Sequence, residues 1–197
     1  MTEEASNFYS KGAEKFAENY SIQNISEEYI ELLEAFIEKA QNGKVLDAGC
    51  GPGRDSQLLS DKGFDVTGVD LSEEMIEIAE KKSGDFHVMD VRDLDFDDAS
   101  FDAVLVNQLL VFFKGEERRK AFSELSRVLK SGGTLFLGLK KGKGKFIREK
   151  YGSSVAQYPM TEEKARQMLQ DFEIHRVEVT EREGDQPGFM NFIATKK

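Results

Sequence analysis

Between Lys44 and Leu139 the chain alternates short apolar runs with amphipathic segments of helix length, and few folds accommodate that alternation. The pattern reads as strand over Lys44–Ala48, helix over Asp55–Lys62, strand over Asp65–Val69, helix over Ser72–Lys82, strands over Asp85–Met89 and Phe101–Val106, helix over Glu116–Lys130 and strand over Thr134–Leu139. Strands connected through helices pair in parallel and bury both faces, so the expected class is α/β with a doubly wound, mostly parallel sheet. Local punctuation agrees. Ser72-Glu73-Glu74 has the form of a cap followed by first-turn acids, while Gly63 and Ser131-Gly132-Gly133 are helix stops. Further on, Thr161 caps a helix running through Gln170, and Glu173–Arg182 and Phe189–Lys196 read as strands. Joined only by Glu183–Gly188, those two strands must be antiparallel.

Ahead of this core, Phe8, Tyr9, Ala13, Phe16, Ala17 and Tyr20 recur at helical spacing, predicting one amphipathic helix over Ser6–Tyr20. Ser26 is the N-cap expected for a second helix, with Tyr29, Leu33, Phe36, Ile37 and Ala40 on its buried face and Asn42-Gly43 at its end. A chain of 197 residues with 39% hydrophobic content suffices for a single core, and no repeat or low-complexity linker divides it. The formal charge of −10 repels polyanions, which argues against nucleic acid and anionic membrane as partners. One cysteine, Cys50, excludes an internal disulfide framework, and with only His87 and His175 beside it no metal site is expected. No stretch has the length or apolarity of a membrane span or signal segment, so the expected compartment is the cytoplasm.

The stretch Val45–Arg54 is where a ligand can reach main chain. Its apolar strand stops at Asp47 and enters a turn with Gly49, Gly51 and Gly53 at alternate positions, stiffened by Pro52. The acid at the strand end favours a ligand with a cationic or hydroxyl-bearing edge over bare phosphates. Asp70 and Asp90 end the next two predicted strands at intervals of 23 and 20 residues, which places three carboxylates along one crevice at the carboxyl edge of the sheet. Asp70 has the position of an acid that accepts both hydroxyls of a ribose, and Asp90 that of an acceptor for an exocyclic amine. A nicotinamide-dinucleotide fold would also use a glycine-rich turn. However, Gly-x-Gly-x-Gly is not Gly-x-Gly-x-x-Gly, and Arg54 stands where that motif needs a small residue.

In order, Val-Leu-Asp-Ala-Gly-Cys-Gly-Pro-Gly, Gly-Val-Asp-Leu-Ser-Glu-Glu-Met, His-Val-Met-Asp-Val, Ser-Phe-Asp-Ala-Val and Leu-Lys-Ser-Gly-Gly-Thr-Leu resemble the motif set of the class I S-adenosylmethionine-dependent methyltransferases, over about Lys44–Leu139. The resemblance implies a seven-stranded Rossmann-like sheet of order 3-2-1-4-5-7-6 with strand 7 antiparallel. Its cofactor would be S-adenosyl-L-methionine and its product S-adenosyl-L-homocysteine. It implies that Gly49, Cys50, Gly51, Gly53 and Arg54, beside Asp47, line the methionine end. Asp70 would hold the ribose, Leu71 and Met75 would flank the adenine, and Asp90 with Val91 would read its edge. Asn107 would meet the amino group and Gln108 would begin the segment facing the methyl. By the same resemblance Tyr9, Phe16 and Tyr20 belong to a helix that closes over the cofactor, although packing on the core explains their spacing equally well. One domain then spans residues 1–197, with an N-terminal helical lid or addition at 1–42, a cofactor-binding core at 43–140, and a substrate-side segment with the C-terminal antiparallel strand pair at 141–197.

Methyl transfer from a sulfonium needs orientation above all, and no residue announces itself as a base, so the catalytic residues stay unassigned. The Asn-Pro-Pro-Tyr motif of amino-group methylation on nucleic acids or glutamine is absent after strand four. There Asn107-Gln108-Leu109-Leu110-Val111-Phe112-Phe113 suggests a small-molecule pocket wall or a buried helix start. The basic run Lys140–Lys150 reads as a solvated loop or as a selector for an anionic substrate. A monomer or homodimer acting on a small molecule is the expected form. A non-catalytic subunit that binds the same cofactor is the alternative.

Overall fold

Val45 and Leu46, neighbours on the first strand, are both fully buried, and they point to opposite sides of the sheet. In the computed structural model, which describes residues 2–182 and 186–197, this strand is β1 (Lys44–Ala48), pairing in parallel with β2 (Asp65–Asp70) and β4 (Phe101–Asn107). β3 (Asp85–Val88) extends one edge. On the other side β5 (Leu129–Lys141) is followed by β9 (Gly188–Lys196) and β8 (Phe172–Thr180), giving the order β3-β2-β1-β4-β5-β9-β8. β9 runs antiparallel to both neighbours. That is the order expected from the sequence once a two-stranded insertion, β6 (Phe146–Lys150) and β7 (Ser153–Gln157), is counted.

Each face of the sheet has its own core. Val45, Val66, Ala103, Leu105, Phe136 and Ile193 pack under α3 (Glu27–Ala40) and α4 (Arg54–Asp61), with the Phe36 and Phe136 rings edge to face at 5.9 Å. Leu46, Val104, Val106, Leu135, Leu137 and Phe192 fill the opposite face, against α6 (Gly115–Val128) and α7 (Glu162–Met168). α5 (Glu73–Ala79) follows β2, capped by Ser72, whose hydroxyl accepts the Met75 N–H at 3.2 Å. Ser26 caps α3 by accepting from Tyr29 N–H at 3.3 Å.

Four expectations are corrected. Instead of one N-terminal helix there are two, α1 (Glu3–Ser10) and α2 (Ala13–Asn19), because the Tyr151 ring packs on the Gly12 backbone so closely that a Cβ there would stand 2.3 Å from it. The helix expected to reach Lys82 stops at Ala79. Ser131-Gly132-Gly133 does not separate α6 from the next strand; it lies inside β5, where the pairing with β4 shifts register between Phe101 and Ala103. Finally, Lys140–Lys150 is a loop only over residues 142–145: β5 runs to Lys141 and β6 starts at Phe146, turning back through Tyr151 and Gly152, both at positive φ. Of the connector between the last two strands, Glu183, Gly184 and Asp185 lie outside the described residues. No described helix is long and apolar enough to cross a membrane.

Candidate active site

At the carboxyl edge of the parallel strands, the ends of β1, β2, β4 and β5 open into a cleft of about 640 Å³. Its floor holds Asp47, Gly49, Cys50, Gly51 and Asp70, joined by Asp55 and Met75 from the following helices and by Asn107, Gln108 and Leu109 from the end of β4. Tyr9, Phe16 and Tyr20 form a roof contributed by α1 and the α2 end. Further lining comes from the segment after β4, from β5 and β9 and from the β6–β7 insertion: Phe112, Lys140, Phe189, Phe146, Arg148 and Gln157.

The floor is shaped for close approach. Gly51 sits at φ 53°, and a Cβ there would project into open cleft with only Phe16, at 3.8 Å, in reach. Its N–H donates to Asp70 Oδ2 at 3.1 Å and the Ser72 N–H donates to Oδ1 at 3.0 Å, so the Asp70 carboxylate is fixed in orientation while both oxygens keep acceptor capacity. Burial raises the Asp70 carboxyl against the pull of those two N–H bonds. Asp47 takes the Ser56 hydroxyl at 2.6 Å, and its carboxyl is pushed up to about 7 by burial and by the neighbouring Asp55 charge, with Asp70 adding to it. Such an acidic corner gains most from a cation.

Beside the floor is a network the sequence did not suggest. Arg54 pairs with Asp55 at 2.7 Å, and both are buried. The guanidinium lies 3.6 Å from the Tyr20 ring centroid and 4.8 Å from that of Tyr29. Tyr29 donates its hydroxyl to Asp55 at 2.7 Å, Arg54 donates to the Tyr20 hydroxyl at 2.8 Å, and the Asn107 amide donates to both phenols, at 3.2 Å to Tyr20 and 3.0 Å to Tyr29. Burial, then the Asp55 charge, lifts both phenols well above their usual range, so they remain neutral donors and acceptors. The network ties the N-terminal segment to the first turn of α4 and the end of β4. Ser6 adds a bond to the Leu71 carbonyl at 3.3 Å.

The residues singled out from the sequence thus divide. Tyr20, Asp47, Gly49, Cys50, Gly51, Asp70, Met75, Asn107 and Gln108 come together on the cleft. Leu71 and Val91 line a narrow adjoining crevice with Met89, sharing Gly49, Asp70 and Leu109 with it. Gly53 caps α4 and packs on Ala79, and Arg54 turns to the two tyrosines, so neither lines the cleft. Asp90 is clasped by Arg92, with Nη2 to Oδ2 at 2.6 Å and the Arg92 N–H to Oδ1 at 2.9 Å. Although burial works the other way, these bonds hold the Asp90 carboxyl below its usual range. Tyr29, Asp55, Gln157 and Phe189 were missed, each being one unremarkable residue until the fold gathers them.

A family described as "Methyltransferase domain" matches residues 46–137. An uncharacterized protein of Methanocaldococcus jannaschii is 32% identical over 156 residues, 73% of this chain and 72% of that protein. Demethylmenaquinone methyltransferase of Thermotoga maritima is 43% identical over 98 residues, 48% of this chain and 42% of the relative. The chain therefore spans about two-fifths of that relative's length. Among solved structures, a SAM-dependent methyltransferase from Methanosarcina mazei superposes with TM-score 0.69 at 27% identity, covering 78% of this chain and 92% of its own.

Proposed function

The chain belongs to the class I S-adenosylmethionine-dependent methyltransferases, and from that membership we propose that it methylates a small molecule held in the cleft described above. The observation that carries the proposal is that the cleft has two chemically different ends: a glycine-and-carboxylate floor, and a wall of Phe112, Phe146, Gln157 and Phe189. A subunit that only bound the cofactor would need the first end alone.

The floor fits S-adenosylmethionine by its chemistry. Asp70, already oriented by two N–H groups, has acceptor capacity for two ribose hydroxyls, the missing Cβ of Gly51 leaves backbone accessible, and the Asp47 corner suits an amino group. Leu71, Met75 and Val91 would enclose the adenine, with Asp90 acting through the Arg92 clasp and the adjoining backbone. Cys50 would contribute through the loop backbone, and Gly53 and Arg54 by holding the loop in place. When bound, the cofactor supplies an electrophilic methyl group on sulfur. The work left to the protein is to orient an acceptor atom and exclude water, an effect that can reach on the order of 7–11 kcal/mol of the barrier. Tyr9, Phe16 and Tyr20 on residues 1–42 would close the site, residues 43–140 would hold the cofactor, and residues 141–197 would bear on the acceptor, all within one domain. Gln108 lines the cleft and, among the described residues, its buried Oε1 has no hydrogen-bond partner, which leaves it an acceptor to offer on the acceptor side. Demethylmenaquinone and malonyl-[acyl-carrier protein] methyltransferases among the relatives support a small-molecule or carrier-borne acceptor over nucleic acid. We place the protein in the cytoplasm as a monomer or homodimer.

Calorimetric titration tests the donor half. S-adenosylmethionine and S-adenosylhomocysteine are expected to bind at one site and NAD not at all. Because Asp47 faces Asp55, Ser56, Arg54 and Asp70 and is pushed up to about 7, a cationic ligand that lowers it should displace a proton. At pH 6.5, buffers of different ionisation heat should reveal proton release, and S-adenosylmethionine affinity should rise between pH 5.5 and 7.5. NAD binding without response to S-adenosylmethionine overturns the reading.

A further inference from the structure

Three cations from separate elements converge on the acceptor wall, and among the described residues none of them forms an ion pair with a carboxylate. Lys140, near the end of β5, lies in register with Phe189 of β9 and holds its ammonium 3.7 Å from that ring's centroid. Arg182, just beyond β8, approaches the same ring at 4.6 Å. Arg148, on β6, sits 5.9 Å over the Tyr9 ring and donates to its hydroxyl at 3.3 Å. Glu149 borders the cleft but is exposed. The other cations of the basic run are elsewhere: Lys141 pairs with Glu181, and Lys143, Lys145 and Lys150 are exposed off the cleft.

In a chain of net charge −10, such a cluster runs against the overall field. The three charges also disfavour one another: burial first, then Arg182 and Arg148, push the Lys140 ammonium down to about 8. Aromatic faces offset only part of that cost. An anion placed among the three would offset the rest, and the rings beside them supply flat apolar contact.

We propose that Lys140, Arg148 and Arg182 bind the anionic group, a carboxylate or a phosphate ester, of a flat apolar acceptor whose body rests against Phe112, Phe146 and Phe189. The assignment rests on the methyl-transfer reading and names the acceptor's chemical class.

With saturating S-adenosylhomocysteine, 2-naphthoate, 2-naphthyl phosphate and the neutral 2-naphthamide are titrated into wild type, Lys140→Met, Arg148→Gln and the charge-preserving Arg148→Lys. At least one anion should bind 10-fold or more tightly than the amide, and the better of the two identifies the headgroup. That preference should fall at least 10-fold in Lys140→Met and Arg148→Gln and stay within 3-fold in Arg148→Lys, while S-adenosylhomocysteine affinity stays within 3-fold of wild type in each folded variant. Equal binding of the amide, absence of binding by both anions, or a preference that survives both neutralising variants overturns the proposal. If S-adenosylhomocysteine binds and no anion preference follows, only this inference falls; if it does not bind, the methyl-transfer reading falls with it.

Discussion

Asp70→Asn should weaken S-adenosylhomocysteine binding by about 100-fold, close to 3 kcal/mol, when affinity is measured by calorimetry near pH 7.5. The substitution removes the charge from an acceptor whose two oxygens are already aimed by the Gly51 and Ser72 N–H groups. Each hydrogen bond to a charged group is worth about 1.5–3 kcal/mol, so the two ribose contacts proposed for Asp70 would account for such a loss. An amide presents a single oxygen to those two N–H donors, so a smaller cost of about 1 kcal/mol in folding stability should accompany it. Asp90→Asn should weaken binding much less, because that carboxylate is clasped by Arg92 and lies off the cleft. An Asp70→Asn protein that binds within 3-fold of wild type removes Asp70 from the role assigned to it.

Arg54→Ala should be the most damaging substitution for stability, costing about 3–5 kcal/mol in chemical denaturation, the range for a buried ion pair that loses one partner. It strands the buried Asp55 carboxylate and removes the plane on which the Tyr20 and Tyr29 rings lie. Arg54→Lys should recover little, since an ammonium cannot lie flat between two phenols while also pairing with Asp55. Hydrogen exchange gives the local signature: in a residually folded Arg54→Ala protein, amides of residues 13–30 should lose protection more than those of β1 or β4. Uniform loss would mean that the network does not fasten the N-terminal segment.

The parts of this architecture that are local in sequence could be read there. Alternating apolar runs gave the parallel strands, Ser26 and Ser72 marked their helices, and the six-residue connector dictated an antiparallel final pair. Glycines spaced after Asp47 and the acid at the end of β2 pointed to the floor of the cleft for the same reason. What escaped was whatever depends on chain segments meeting. Tyr20, Tyr29, Arg54, Asp55 and Asn107 are dispersed over four elements, and no spacing rule joins them. The β6–β7 hairpin hid because its turn uses Tyr151-Gly152 rather than Asn-Gly, and because the charged run Arg148-Glu149-Lys150 obscured the period of β6. Charge density likewise drew attention to the whole basic run Lys140–Lys150, whereas the fold brings only Lys140 and Arg148 of its cations to the cleft and adds Arg182 from beyond it.

Methyl transfer itself is the central claim, and it is measured by incubating the protein with S-adenosylmethionine labelled on the methyl group and a fractionated metabolite extract. The account predicts label transferred to an acceptor fraction, accompanied by equimolar S-adenosylhomocysteine and lost in Asp70→Asn, with an anionic acceptor as the further expectation set by Lys140, Arg148 and Arg182. A protein that binds S-adenosylmethionine yet moves label into no fraction would contradict it, and would identify the chain as a cofactor-binding subunit instead.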